Sequence, residues 1–213
     1  MTDLRRLLDR QEIEDLLVRY ARAVDRGDWD LLRSVYHPDA YDDHGGYRGG
    51  VEGFIAYVTA RHRDLEHSAH HLSNIYVEFV HDDCAVVETH CQAFQRFGPG
   101  PQRMLAFGDD PQIVAPGSAG ASIRAVLRYV DRVERRRGVW AIAHRTVVSG
   151  EVSVEQLDSP VVFGPERVVQ RHDMGDYLYR ALAEARARPA PGGGGAETSR
   201  PGGRRSGIRP EDT

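Results

Sequence analysis

Three side chains in this sequence have the right types for proton transfer, and each sits where a fold could bring it to the others. Tyr20 and Asp25 fall in Tyr20-Ala-Arg-Ala-Val-Asp25-Arg-Gly-Asp-Trp29, and His70 falls in Ser68-Ala-His70-His71-Leu-Ser-Asn74. An imidazole takes up a proton near neutral pH, a carboxylate fixes its tautomer, and a phenol donates to a substrate oxygen. Asp25 is the odd member of the set. In the last turn of a helix the unsatisfied carbonyls make a negative end, which disfavours a carboxylate by ~0.3–1 kcal/mol. A cationic or hydrogen-bonding partner should compensate; a solvated surface Asp is the plainer alternative. Tyr20 lies on the apolar face one turn before Val24, where a buried phenol needs a partner, either a catalytic one or a backbone carbonyl.

His70 and His71 open a strand, and neighbours on a strand point to opposite faces. Asn74 shares the side of His70 if the strand is already regular there, and Ser73 that of His71. With 10 histidines in the chain, several others compete for any role. His144 and Arg145, after Trp140, also alternate in facing. Arg145 turned inward would be a permanent cation able to hold a carboxylate or enolate, and otherwise is a surface arginine.

Other chemistries lack their residues. All 28 basic residues are arginine, so Schiff-base chemistry, pyridoxal phosphate attachment and the P-loop lysine are excluded. No zinc helix of the His-Glu-x-x-His type, nucleophile elbow or dinucleotide fingerprint is present. What remains is acid–base chemistry by His, Asp and Tyr, with no cofactor and no metal.

The elements that must position these groups are legible from periodicity. Residues 4–26 read as a helix with Ile13, Leu16, Leu17, Tyr20, Ala21 and Val24 on one face. Gly27 fits its C′ position, and Asp28 caps a short second helix, Trp29–Tyr36, that stops at Pro38. Short strands are expected around Tyr41 and Tyr47, with a turn at Gly45-Gly46, and a helix over Val51–His62. From His71 the period becomes two. A turn at His81-Asp82-Asp83 leads into Ala85–Phe97, whose Ala85, Val87, Thr89, Cys91 and Ala93 form a face of small side chains suited to a pocket wall. Phe97–Ser122 reads as a long insertion, either a lid or a plain loop. Two more strands follow, Ile123–Glu134 and Val139–Glu151, then an extended Val152–Phe163 and a helix over Gly175–Ala185. Helices first and then at least four antiparallel strands indicate an α+β fold, with helices on one face of a curved sheet.

At 213 residues with 40% hydrophobic content, the chain supports one core and an appendage. The Pro-, Gly- and Arg-rich stretch at 186–213 is expected to be disordered. The net charge of −4 argues against a nucleic-acid partner. No signal peptide or membrane span is visible. Cys84 and Cys91 would be separated by roughly 23 Å along one strand, too far for a disulfide, which suits a reducing cytoplasm.

Arg10-Gln-Glu-Ile-Glu-Asp-Leu-Leu-Val-Arg-Tyr20 through Trp29, His70-His-Leu-Ser-Asn74 and Gly138-Val-Trp140-Ala-Ile-Ala-His-Arg145 together resemble the SnoaL-like branch of the nuclear transport factor 2-like superfamily. The resemblance covers about residues 5–150. It implies a cone-shaped α+β barrel: N-terminal helices packed on a strongly bent antiparallel sheet that encloses an apolar pocket. A SnoaL-like domain over 1–150, a C-terminal extension over 151–185 and a disordered tail over 186–213 follow as the expected organisation. In dehydratase and dehydrochlorinase members an Asp at the end of the first helix orients a His that abstracts a proton. By motif position Asp25 matches that Asp, His70 the His, Tyr20 the dehydratase tyrosine, and Arg145 the arginine after the tryptophan strand. The expected catalytic set is therefore His70, Asp25 and Tyr20, with Trp29, Tyr41, Asn74, Tyr129, His144 and Arg145 contacting substrate.

The function so implied is a cofactor-independent lyase or isomerase, dehydratase-like, acting on a steroid-, polyketide- or aromatic-type small molecule. The alternative is a non-catalytic binding or accessory protein of the same fold, such as the small subunit of a ring-hydroxylating dioxygenase. A cytoplasmic homo-oligomer, dimer or trimer, completes the expectation.

Overall fold

The computed structural model describes residues 2–99 and 118–188. The opening helix, α1 (Thr2–Arg26), buries the expected face: Ile13, Leu16, Leu17, Tyr20, Ala21 and Val24 all lie in the core. It ends where Gly27 takes the left-handed conformation (φ +61°). The N–H of Asp28 then returns to the Ala23 carbonyl at 2.9 Å. Asp28 caps α2 (Trp29–Ser34), its Oδ1 accepting from the Leu31 N–H at 3.1 Å.

The second helix is shorter than its expected Trp29–Tyr36 span. Tyr36 already begins β1 (Tyr36–Asp43), and Pro38 lies within that strand. Proline is tolerated because the pairing of β1 with its neighbour shifts register between Tyr36 and Tyr41, so no ladder bond is required of it. A turn at His44–Tyr47 leads to β2 (Arg48–Gly49), followed by α3 (Val51–Arg61).

Four long strands complete the sheet: β3 (Leu65–His81), β4 (Cys84–Phe97), β5 (Ala121–Arg136) and β6 (Val139–Gln156). The spatial order is β2-β1-β6-β5-β4-β3. The hairpins β3–β4–β5–β6 are antiparallel, whereas β1 joins β6 in parallel, a pairing that periodicity does not reveal. The six strands form a curved, unclosed sheet, with the helices laid on one face. The inner face of β4 is as expected, since Ala85, Val87, Thr89, Cys91 and Ala93 are all buried.

β3 departs from simple alternation. It starts six residues before His71, at Leu65, and Asn74 sits at φ +47°, with a register shift between Ser73 and Tyr76. Before this bulge Ser68, His70 and Leu72 face the helices; after it Ile75, Val77 and Phe79 do. The bulge turns one strand's inward parity from even to odd.

β6 runs on past residue 150, still paired with β5 as far as Gln156 opposite Ala121. The following segment crosses back over the end of α1 and finishes in α4 (Tyr177–Ala187), capped by Asp176. Both cysteines are free thiols. Among the described residues, no helix is long and apolar enough to cross a membrane. The body of the 97–122 insertion and nearly all of the expected disordered tail lie outside the described residues.

Candidate active site

A cavity of about 50 Å³ opens between the helices and the inner face of the sheet, with Tyr20, His44, Arg61, His62, His70 and Tyr129 in its polar wall. Val24, Phe54, Val58, Ala93 and Leu127 supply apolar lining.

Asp25 and His70 meet at its edge. His70 Nδ1 donates to Asp25 Oδ1 at 2.6 Å, and the His70 backbone N–H donates to Oδ2 at 2.9 Å. Ser68 Oγ, inward-facing on the same strand, donates to Oδ1 at 2.7 Å. Burial raises the Asp25 carboxyl pKa, but the charge of His70 and these hydrogen bonds outweigh it and hold the group below its ordinary value. Because the carboxylate only accepts, the proton of a neutral His70 resides on Nδ1. Nε2 is left with a lone pair on a ring that lines the cavity. The carboxylate that a helix end should repel is thus held by three donors from β3.

Tyr20 is 1% exposed, and its hydroxyl lies 3.1 Å from His44 Nε2. His44 Nδ1 in turn contacts Asp42 Oδ1, while Tyr36 donates to Asp42 Oδ2 at 2.5 Å. Burial raises the Tyr20 pKa further above its already high value, with the Arg145 charge opposing. This Tyr36–Asp42–His44–Tyr20 chain was not anticipated as a site. Its signal is present in the sequence: Asp42 and His44 stand two apart on an extended segment, the spacing that puts two side chains on one face.

Arg145 does turn inward and is fully buried, but Asp131 claims it through two bonds, Nε to Oδ1 at 2.7 Å and Nη2 to Oδ2 at 2.6 Å. Its guanidinium lies in the corner between the two edge-on rings, 3.9 Å from the Tyr20 centroid and 4.1 Å from that of Tyr129. It braces the phenols instead of facing a ligand. Tyr129 lines the cavity, edge-on to Tyr20 at 5.5 Å.

The other expected contacts lie elsewhere. Asn74 is at the bulge and exposed, which corrects its placement beside His70. His71 faces outward against Phe94. Tyr41, 42% exposed, stacks on His144 at 5.3 Å, so both stand on the outer face of the sheet, opposite to Arg145. Trp29 packs at the rim of the core, edge-on to His172.

A further chain links the cavity to the C-terminal segment. Arg61 Nη2 donates to Gln95 Oε1 (3.0 Å), and Gln95 Nε2 donates to His62 Nε2 (3.2 Å). His62 Nδ1 then donates to His172 Nε2 (3.2 Å), and His172 Nδ1 to the Asp25 carbonyl (3.0 Å). The donors run in one direction only if both imidazoles are neutral. Burial depresses the pKa of both, His62 well below its ordinary range with the Arg61 charge adding to the effect. Gln170 Nε2 to the Ser68 carbonyl (2.5 Å) and Tyr179 to Asp28 Oδ2 (2.9 Å) pin the same segment over the helix end. Residues 170–179 therefore back the Asp25–His70 pair. No compact motif in the sequence announces these long-range contacts.

Among the described residues, no group of three or more His, Cys, Asp or Glu side chains is placed to hold a metal ion.

Residues 5–146 match the SnoaL-like domain. An uncharacterised protein of Mycobacterium tuberculosis is 30% identical over 148 residues, 68% of this chain and 88% of that protein. Among solved structures, a hexachlorocyclohexane dehydrochlorinase, LinA-type3 of Novosphingobium barchaimii, superposes with a TM-score of 0.58 at 22% identity, covering 77% of this chain and 100% of that one. A scytalone dehydratase-like protein of Novosphingobium aromaticivorans gives 0.57 at 18% identity, over 77% and 99%. These likenesses establish a shared cone-like α+β fold. With the domain match spanning α1 to the Arg145 region of β6, the chain belongs to the SnoaL-like domain family, within the nuclear transport factor 2-like superfamily.

Proposed function

We propose that this protein is a cofactor-independent lyase or isomerase in which His70 is the general base. The carrying observation is the Asp25–His70 hydrogen bond at 2.6 Å, which puts the ring proton on Nδ1 and leaves the Nε2 lone pair for substrate. Asp25 keeps the tautomer and stabilises the imidazolium once the proton is taken, as a buried carboxylate does behind a catalytic histidine. The dehydrochlorinase and dehydratase names of the structural neighbours support this reaction class by analogy of fold.

The cavity's size supports a narrower substrate class than a steroid or polyketide. Drug-sized ligands occupy pockets of roughly 300–1,000 Å³. A cavity of about 50 Å³ lies well below that range and encloses only the reacting end of a small molecule, not a steroid skeleton. A small β-hydroxy or β-halo carbonyl compound fits the groups present. His70 removes the proton next to the carbonyl. On the cavity wall, Arg61 is placed as a donor to the carbonyl oxygen, where negative charge develops, and Tyr20 as a donor to the leaving oxygen.

Turnover on a panel of small β-hydroxy ketones, followed by enone absorbance, tests the proposal. His70→Ala and Asp25→Asn should each lower kcat by ~10²–10⁴-fold. Wild-type rates in both variants, or no turnover of any panel member by the wild-type protein, would reject it.

A further inference from the structure

The cavity carries two imidazole–carboxylate pairs, and the proposed base uses one of them. The second is Asp42–His44, at the end of β1, with its ring stacked on Phe54 of α3 at a centroid distance of 4.3 Å. His44 lines the same cavity as His70. Its Nδ1 is committed to Asp42, so Nε2 points its lone pair, or its proton when charged, at the Tyr20 hydroxyl 3.1 Å away. Such geometry is more than a phenol needs for burial, since a single backbone carbonyl would satisfy it.

We propose that Asp42–His44 is the proton source for the leaving group, acting through the Tyr20 hydroxyl, so that one wall of the cavity holds the base and the other the acid. This rests on the reading of His70 as base. Tyr20 is the group that touches substrate; His44 is a positioning and recharging partner behind it.

The reacting state has His70 neutral and His44 protonated. His70 Nε2 takes the proton from the carbon next to the carbonyl, and the electron pair of that C–H bond becomes the new C=C bond. The C–O bond at the β-carbon breaks with its pair going to oxygen. That oxygen takes the Tyr20 proton as Tyr20 takes the Nε2 proton of His44. The products are enone, water, a His70 imidazolium and a neutral His44. Exchange of one proton from His70 to solvent and one from solvent to His44 resets the site. Tyr20 alone is a poor acid, because burial disfavours its anion. A proton arriving from His44 removes that obstacle.

The groups facing His44 suit a cationic intermediate. Asp42 is on its own strand and Asp43 adjoins it; Tyr20 comes from α1, Phe54 from α3 and Tyr129 from β5. The positive charges near the site are Arg61, which lines the cavity, and Arg145, already neutralised by Asp131.

The test compares two substrates of equal heavy-atom count in D₂O, 4-hydroxybutan-2-one and 4-chlorobutan-2-one, with spontaneous elimination subtracted. Chloride leaves without a proton; hydroxide does not. His44→Gln keeps the hydrogen bonds of the ring but cannot carry the proton. It should dehydrate the hydroxy ketone ~10²-fold or more slowly. Elimination of chloride and deuterium wash-in next to the carbonyl should each fall at least ~10-fold less than dehydration does. Asp42→Asn should show the same selectivity in weaker form. Equal loss of all three readouts in folded His44→Gln would assign it a merely structural role and overturn the proposal, as would undiminished dehydration. If His70→Ala leaves wash-in intact, or the wild-type protein shows neither wash-in nor elimination, the base assignment fails and this inference with it.

Discussion

Asp25 grips His70 twice, through the ring Nδ1 at 2.6 Å and through the backbone N–H at 2.9 Å, one carboxylate oxygen to each. The double contact fixes both the tautomer of the ring and the position of the strand that carries it. It also answers the electrostatic misfit of an acid at a helix C-terminus, since the donors of β3 replace the water that would otherwise solvate it.

The pair has a pH signature in stability. The Asp25 pKa is lowered on folding, so its contribution is complete above the unfolded value of about 3.9 and is lost as pH falls through the folded value. The stability gap between wild type and Asp25→Asn, read from thermal melts, should therefore be constant from pH 7 to about 5 and shrink below about pH 4. A gap that widens on acidification would contradict this.

Arg145 and Asp131 form the other buried ion pair, both fully shielded. Removing one partner strands a charge beneath the phenols. Asp131→Ala should cost about 3–5 kcal/mol in urea denaturation. A loss under about 1 kcal/mol, the range of an exposed pair, would show that the cation is solvated.

The His62–His172 link predicts a second pH dependence with a different window. Both rings have depressed pKa values when folded, so the unfolded chain binds more protons once pH drops below the ordinary value of about 6.5. Stability should be full above that pH and fall as pH declines from about 6.5 to 5. His62→Gln with His172→Gln should flatten the slope in that window, measured by urea midpoints.

Much of this arrangement is legible from the sequence, and the limits have physical causes. Helix period and capping located α1, Gly27 and Asp28, because those signals are local. The small-residue face of β4 followed from strand alternation, which set His144 and Arg145 on opposite faces without saying which of them turns inward. Alternation failed at Asn74, where a bulge that no turn dipeptide announces reverses parity and sends Asn74 outward. It failed again for the role of Arg145, since Asp131 lies on the neighbouring strand and pairing register is not a local property. His44 escaped because it stands at the turn just past β1, where the β1–β2 hairpin is legible but the parallel pairing of β1 with β6, which sets the face that looks into the cavity, is not. The pairing of Asp25 with His70 came from the family pattern, not from periodicity.

The lone pair of His70 can be observed without any substrate. Long-range ¹H–¹⁵N spectra at neutral pH should show the neutral ring protonated on Nδ1, and Asp25→Asn should redistribute the proton between the two nitrogens. A wild-type ring protonated on Nε2 would mean that Asp25 does not set the tautomer.

The most direct measurement is deuterium wash-in next to the carbonyl of 4-hydroxybutan-2-one in D₂O, followed by NMR for wild type and His70→Ala. It reads the proton-abstraction step alone, before any leaving group departs. With His70 as the base, the substitution slows wash-in by ~10²–10⁴-fold while the fold, checked by circular dichroism, is retained. Wash-in at the wild-type rate in a folded His70→Ala protein would contradict the assignment of His70.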